Sequence, residues 1–445
     1  MLKKAAMRKS QSRPNAFRVF FDNHNWTWRH RKFQYKTAVL SALIGIALSV
    51  TALFSGQDQG IAEGVGAVVG LAGLIALWLD HREIASEAHT FQIAPLTDAT
   101  HKRVSKCASA HGYDCELFGK RSVLFPVTAN IAIRAGKLNS QKVEFRSDLF
   151  EIADTDNTRR AFESFRREAK VVWNDDKVRL NTDPTSFATL AHGVKLQRTS
   201  YFDFLATAYY SQREWRFRRQ VEYDGLALML DGKTLLPIDR ARTAHHIGVS
   251  TLLLTANKRI LIQHTSARAA VGRHVPSGSG SLDVNDIDRS SFGETLLRGA
   301  LREFREETGW DELARRARNM QSTATMKHYP LGMAIDVSRG LVTDFFFLSV
   351  ADRDVHTEYE SQYLRDKVVV DKFEVRSIAW PDFSDCQTLS QWKKRTAKCV
   401  QEYGAHDPIL AINFKLVGQL LDDVESAQDH PLKAILEGSA LDAYS

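Results

Sequence analysis

The chain has 445 residues, a formal net charge of +7 and four cysteines, Cys107, Cys115, Cys386 and Cys399. That is too few thiols for a disulfide framework in a chain of this size, and their spacing from His101 and His111 matches no zinc knuckle. The basic excess sits in residues 1–36, where ten Lys or Arg face the single acid Asp22, so residues 37–445 carry a net −2. With a balanced body, the high isoelectric point does not argue for a nucleic-acid-binding body, and no DNA or RNA polymer is expected as a partner.

The basic arm of residues 1–36 leads into two apolar stretches, Thr37 to Ser55 and Ile61 to Leu79, joined by the polar link Gly56 to Gly60. Each stretch approaches the ~20 residues that a helix needs to cross ~30 Å of hydrocarbon, and Glu63 is the only charge in either. The expectation is a two-helix transmembrane hairpin over residues 37–80. The arm acts as its positive-inside signal, with Trp26, Trp28 and Tyr35 at the headgroup layer. Two spans return the chain to the side it left, which predicts a multi-pass protein with both termini cytoplasmic. Small-residue faces, Ala38, Ala42, Gly45, Ser49 and Ala52 in the first stretch and Gly66, Gly70 and Gly73 in the second, suit close helix packing within the hairpin or between the protomers of a homo-oligomer.

The residues after the hairpin are too many for one small core. They divide into an α/β region over 86–244, a second unit over 245–425 and a tail over 426–445. In the first of these, strands are predicted around Lys142 to Phe145 and Lys177 to Leu180, a helix over Thr158 to Lys170 and a turn at Asp183-Pro184. The stretch Gln212 to Gln220 alternates aromatics with arginines, so Arg216 and Arg218 could offer phosphates both charge and a stacking surface. A solvated basic face with Trp215 and Phe217 turned inward accounts for the same pattern.

In the second unit, Gly248 to Thr255 and Arg259 to Gln263 read as two strands around the turn Ala256-Asn257-Lys258. A loop rich in Gly and Ser, Pro276 to Ser281, precedes a capping box at Ser291 to Glu294. The helix that begins there carries Leu297, Ala300, Leu301 and Phe304 on one face and ends at Gly309. Glu303, Glu306 and Glu307, at i, i+3 and i+4, share one side of it. Three carboxylates so close repel one another unless a hard divalent cation such as Mg²⁺ or Mn²⁺ joins them, or unless they form an acidic surface paired with Arg302 and Arg305. Further strands are predicted at Gly332 to Val337, Asp344 to Val350 and Phe373 to Trp380, then a helix over Pro408 to Leu421.

Glu294 followed by Arg302-Glu303-Phe304-Arg305-Glu306-Glu307-Thr308-Gly309-Trp310 resembles the second part of the Nudix box, E-x7-R-E-U-x-E-E-x-G-U with U apolar. The resemblance covers about 245–425 and implies an α/β/α sandwich. It also implies Mg²⁺ or Mn²⁺ on Glu303, Glu306 and Glu307, with Glu306 and Arg302 as catalytic residues. Gly280, together with Arg216 and Arg218, is the expected nucleotide-binding set. One departure stands out: the family glycine six residues before the first glutamate is Asp288 here, and Gly280 lies further upstream, so the substrate loop is remodelled.

A hairpin joined to such a domain resembles the transmembrane Nudix effectors of bacterial cyclic-oligonucleotide antiphage signalling (CBASS). That resemblance implies an α/β fold class, an N-terminal transmembrane hairpin plus a Nudix-like sandwich, in the bacterial inner membrane. The domain would sense a cyclic oligonucleotide, and the spans would disrupt inner-membrane lipid and kill the infected cell. Two alternatives are a membrane-tethered Nudix hydrolase of nucleoside diphosphate derivatives and a scaffold that neither binds nor cuts nucleotides.

Overall fold

The computed structural model describes residues 91–95, 104, 106–108, 111–119, 121–150, 174–190, 193–211, 213–217, 220–231, 234–265, 273–310, 326–352, 355–357 and 375–437. Two compact units are present. The described part of the first belongs to a three-stranded sheet of β1 (Phe91–Pro95), β7 (Arg213–Phe217) and β8 (Gln220–Asp224), in the order β1-β7-β8.

The second unit holds the remaining elements. In chain order they are β2 (Tyr113–Phe118), β3 (Arg121–Pro126), helix α1 (Val127–Arg134), β4 (Val143–Leu149), β5 (Asp176–Leu180), β6 (Val194–Ser200) and α2 (Tyr201–Ser211). After β8 come the short pair β9 (Leu230–Asp231) and β10 (Thr234–Leu235), then β11 (Ile247–Leu254), β12 (Ile260–Thr265), β13 (His274–Val275), β14 (Gly278–Ser281) and α3 (Phe292–Thr308). The chain continues through β15 (Met326–Asp336), β16 (Val342–Ala351), β17 (Val375–Ala379), α4 (Leu389–Gly404), α5 (Pro408–Ser426) and α6 (Pro431–Leu436).

A nine-stranded sheet runs β13-β12-β11-β16-β15-β3-β2, with β14 also on β11 and β17 also on β12. Its centre is the parallel pair β11 and β16, and the other pairings are antiparallel. Strands from both sides of residue 245 share this sheet, because β3 pairs with β15 through Leu124 and Val123. Strand β11 forks: Gly248–Thr251 pair with β14, while Leu253 and Leu254 pair with β12. A smaller sheet, β4-β6-β5, lies in the same unit.

Every residue of β11 is buried, as expected for a strand covered on both faces. Its side chains alternate between two cores. Leu252 and Leu254 join Ile260, Ile262, Phe346 and Leu348 under Trp392 of α4 and Phe414, Leu416 and Leu420 of α5. Leu253 joins Leu261 and Phe304 of α3 on the opposite side, with Trp310 beyond the helix end. The sheet therefore lies between α3 on one face and α4–α5 on the other.

The predicted strands near 142, 177, 248, 259, 332, 344 and 373 correspond to β4, β5, β11, β12, β15, β16 and β17, and the helix predicted from Pro408 extends to Ser426. Asp183 caps a short 3-10 turn at Pro184–Ser186, where a turn is predicted. The helix predicted over Thr158 to Lys170 lies outside the described residues.

The expected fold class is corrected. The described residues are mixed α/β, and no helix among them is long and apolar enough to cross a membrane. The stretches 37–55 and 61–79 lie outside the described residues. Neither a two-helix transmembrane hairpin nor a multi-pass inner-membrane location with both termini cytoplasmic is therefore supported. The longest described helix, α5 with 19 residues, shows why an apolar helix here is a core element: Leu410, Phe414, Val417 and Leu421 pack on the sheet while Asp422, Asp423 and Glu425 face outward.

Candidate functional site

Helix α3 starts where Ser291 accepts a hydrogen bond from the Glu294 amide at 3.1 Å, and it ends at Gly309 in the left-handed conformation with φ 66°. The Glu294 carboxylate does not close the reciprocal half of a capping box but accepts from Arg298 Nε at 3.2 Å. The buried face of the helix fixes its rotation and directs Arg302, Glu303, Glu306 and Glu307 toward and beyond β14.

Strand β14 supplies the second wall. Residues predicted as an open Gly and Ser loop pair with β11 from Gly278 to Ser281. They lie so close to α3 that side chains are excluded at alternate positions. A Cβ on Gly278 would come within 2.5 Å of the Phe304 Cα, and one on Gly280 would fall inside the Glu303 carboxylate. The Ser279 amide, between them, donates to Glu307 Oε2 at 2.9 Å. Gly280 therefore lies directly against Glu303, and residues 282–291 connect β14 to α3.

That connection is held by several side-chain contacts. Asp283 and Asp286 form a capping box around the 3-10 turn Val284–Asp286. Asp286 accepts from Arg302 Nε at 3.1 Å and Nη2 at 3.0 Å, and the Ser281 carbonyl accepts from Nη2 at 2.9 Å. Asp288, where the family glycine is expected, accepts from Arg298 at 2.6 Å, and its amide donates to Thr295 at 2.8 Å.

Arg302 is the hub. Its Nη1 donates to Glu303 Oε1 at 2.7 Å and to Glu306 Oε2 at 3.2 Å. Burial works against its charge, but the hydrogen bond to Asp286 and the charges of Glu303 and Asp286 outweigh that, so it holds its proton more tightly than an ordinary arginine. The Glu303 side chain is only 15% exposed, and burial raises its carboxyl pKa against the opposing pull of Arg302. The charge of Lys177 on β5 adds a smaller pull in the same direction as Arg302. Glu306 is 61% exposed, whereas Glu307 is buried.

The structure thus brings together Gly280, Arg302, Glu303, Glu306 and Glu307 of the predicted set. Arg216 lies in β7, within the first compact unit, and Arg218 lies outside the described residues. Asp286 and Ser279 contact these residues without having been predicted. The Asp283-x-x-Asp286 spacing, a cap signal in its own right, marked one of them.

Three carboxylates and neighbouring main-chain oxygens are the hard donors that Mg²⁺ or Mn²⁺ takes, so the donor chemistry fits such a cation. In the observed arrangement a guanidinium N–H bridges Glu303 and Glu306, and Glu307 is turned to the Ser279 amide. No group of three or more His, Cys, Asp or Glu side chains among the described residues is already gathered to hold a metal ion.

No protein-family model matches the sequence, and no curated protein matches it. Among solved structures the chain is similar to DR0079 from Deinococcus radiodurans, with 12% identity over 40% of this chain and 82% of that one and a TM-score of 0.22. It is also similar to Tm1382, described as a Nudix hydrolase, with 15% identity over 41% of this chain and 72% of that one and a TM-score of 0.20. The likeness to Nudix-type structures is therefore weak, and it does not extend to cyclic-nucleotide signalling, antiviral defence or a membrane.

Proposed function

We propose that the second unit binds a nucleoside diphosphate derivative along α3 and β14 and hydrolyses its pyrophosphate with Mg²⁺ or Mn²⁺ held by Glu303, Glu306 and Glu307. The observation that carries this reading is Gly280 lying directly against the Glu303 carboxylate. The glycine is displaced from its place in the Nudix pattern, but Gly280 leaves space beside that carboxylate that a side chain would fill, which supports a close approach of substrate there. A cation bound there would polarise a phosphoryl oxygen and lower the pKa of a water molecule. Arg302 positions Glu303 and, through Nε and Nη2, keeps its hold on Asp286 and the Ser281 carbonyl if Nη1 gives way to the cation.

A second reading is a receptor that binds a cyclic oligonucleotide without cutting it. What favours it is the guanidinium lodged between Glu303 and Glu306, which offsets part of their charge without any metal.

The test uses the full chain with Glu306→Gln and Glu307→Gln combined. A ligand at about 100 times its Kd stabilises the folded state by about 2.7 kcal/mol. Mg²⁺ or Mn²⁺ should therefore raise the melting temperature of the parent by several degrees and leave the variant unchanged. Equal stabilisation of both would return the carboxylates to an acidic surface. Metal-dependent release of a nucleoside monophosphate supports the hydrolase, and tight cyclic-dinucleotide binding without turnover supports the receptor.

A further inference from the structure

On the other face of the sheet lies a cluster that the carboxylate site does not use. His264 of β12 and His274 of β13 are directly opposite one another in the antiparallel register. Side chains so paired project from the same face with Cβ atoms about 4.5–5.5 Å apart. His264 follows Ile260 and Ile262 at period two, and those two belong to the core beneath α4 and α5. The pair therefore faces the α4–α5 side, whereas Glu303 sits on α3.

The imidazole rings are 4.9 Å apart between centroids, with planes at 69°. Two imidazoles that share one cation through metal–nitrogen bonds of about 2.0–2.1 Å, at a near-tetrahedral angle, hold their ring centres about 5 Å apart. The His274 ring is also held in place. Asp407, which is buried and precedes α5, accepts from the His274 amide at 3.0 Å through Oδ1 and lies 3.1 Å from ring Nδ1 through Oδ2. A carboxylate on Nδ1 fixes the proton there and leaves the Nε2 lone pair for a ligand. Tyr403 of α4 packs on the same ring at 5.7 Å between centroids. The His274 side chain keeps 38% exposure, so an ion can reach it.

We propose that His264 and His274 bind a divalent transition-metal ion of the zinc class, with Asp407 as the outer partner that orients His274 and with water completing the coordination. Imidazole nitrogen selects Zn²⁺, Ni²⁺ or Cu²⁺ and disfavours Mg²⁺, so this site and the carboxylates of α3 take different ions.

Calorimetric titration of the full chain with Zn²⁺ tests the assignment, alongside His264→Ala, His274→Ala, Asp407→Asn and the combined Glu306→Gln and Glu307→Gln variant. The parent should bind one equivalent, and excess Mg²⁺ should not compete. Each histidine variant should lose that equivalent, and Asp407→Asn should weaken it about 10- to 100-fold. The glutamine variant should bind as the parent does, which separates this site from the proposed hydrolase site. Circular dichroism without metal verifies that each variant is folded. His264→Gln, of similar bulk, replaces His264→Ala should the latter fail to fold. Zn²⁺ binding that survives loss of either histidine, or that disappears with Glu306 and Glu307, overturns the proposal.

Discussion

Gly278 and Gly280 occupy the same strand face, yet alanine should act differently at each. At Gly278 the added methyl meets the backbone of Phe304, which cannot move without separating α3 from β14. Overpacking of that kind costs about 1–3 kcal/mol, so Gly278→Ala should lower the denaturation midpoint clearly. At Gly280 the obstacle is the end of the Glu303 side chain, which can swing away at smaller cost to the fold. Gly280→Ala should therefore leave stability within about 1 kcal/mol of the parent while abolishing Mg²⁺-dependent stabilisation. Chemical denaturation with and without Mg²⁺ reads both effects, and an undisturbed metal response in Gly280→Ala would show that the Glu303 carboxylate is not a ligand.

A second residue-scale prediction concerns Asp344, opposite Gly248 in the register of β11 and β16. A Cβ on Gly248 would fall inside its carboxylate, and the side chain is only 14% exposed. Burial, opposed by Arg339 at 3.8 Å and reinforced by Asp336, pushes its carboxyl up to about 6 from an ordinary 3.8. Between those values the folded state holds the proton that the unfolded chain has released. The contribution to stability is therefore complete below about pH 4, declines as pH rises through about 6 and is lost above it. Asp344→Asn carries no charge to bury. Its stability relative to the parent should rise between pH 4 and pH 6.5 to a gain of about 1–3 kcal/mol at pH 7. A difference that stays flat across that range in pH-dependent melting would disprove the burial argument.

At the scale of elements, α3 was legible because its signals are local: Ser291 caps it, its apolar positions repeat at helical spacing and Gly309 stops it. The carboxylates of the site are neighbours in sequence for the same reason. Strand β14 was not legible, since Gly and Ser have little tendency to form strands and its pairing with β11 depends on how closely α3 approaches. The Asp286–Arg302 contact spans 16 residues and follows from the path of the chain between β14 and α3. Helix α4 carried a readable start, a capping box between Thr388 and Gln391, that the pattern reading passed over. The hairpin expectation rested on two nearly uncharged apolar stretches, the basic arm before them and their small-residue faces; those stretches lie outside the described residues, and the described helix of comparable length uses its apolar side chains inside a protein core.

For the whole molecule, the partition of the central sheet matters more than any single contact. Val123 and Phe125 of β3 are buried in the same core as Leu252, Phe346 and Phe414. On the outer side of that core, Trp392 Nε1 donates to the Leu436 carbonyl at 3.1 Å, beyond residue 425. Lys415 of α5 pairs with Glu116 of β2, and Arg134 of α1 with Asp423 at 2.5 Å. A fragment limited to residues 245–425 loses β2, β3, α1 and α6 and leaves the edge of β15 open. Each large apolar side chain left without its partners forfeits about 1.5–3 kcal/mol, and several together exceed a typical net stability of about 5–15 kcal/mol. That fragment should be unfolded or aggregated at room temperature, whereas the full chain should stay folded and give a single species by size exclusion. If the short fragment instead melts cooperatively at the temperature of the longer one, the residues before 245 are an appendage to the sheet and not part of its core.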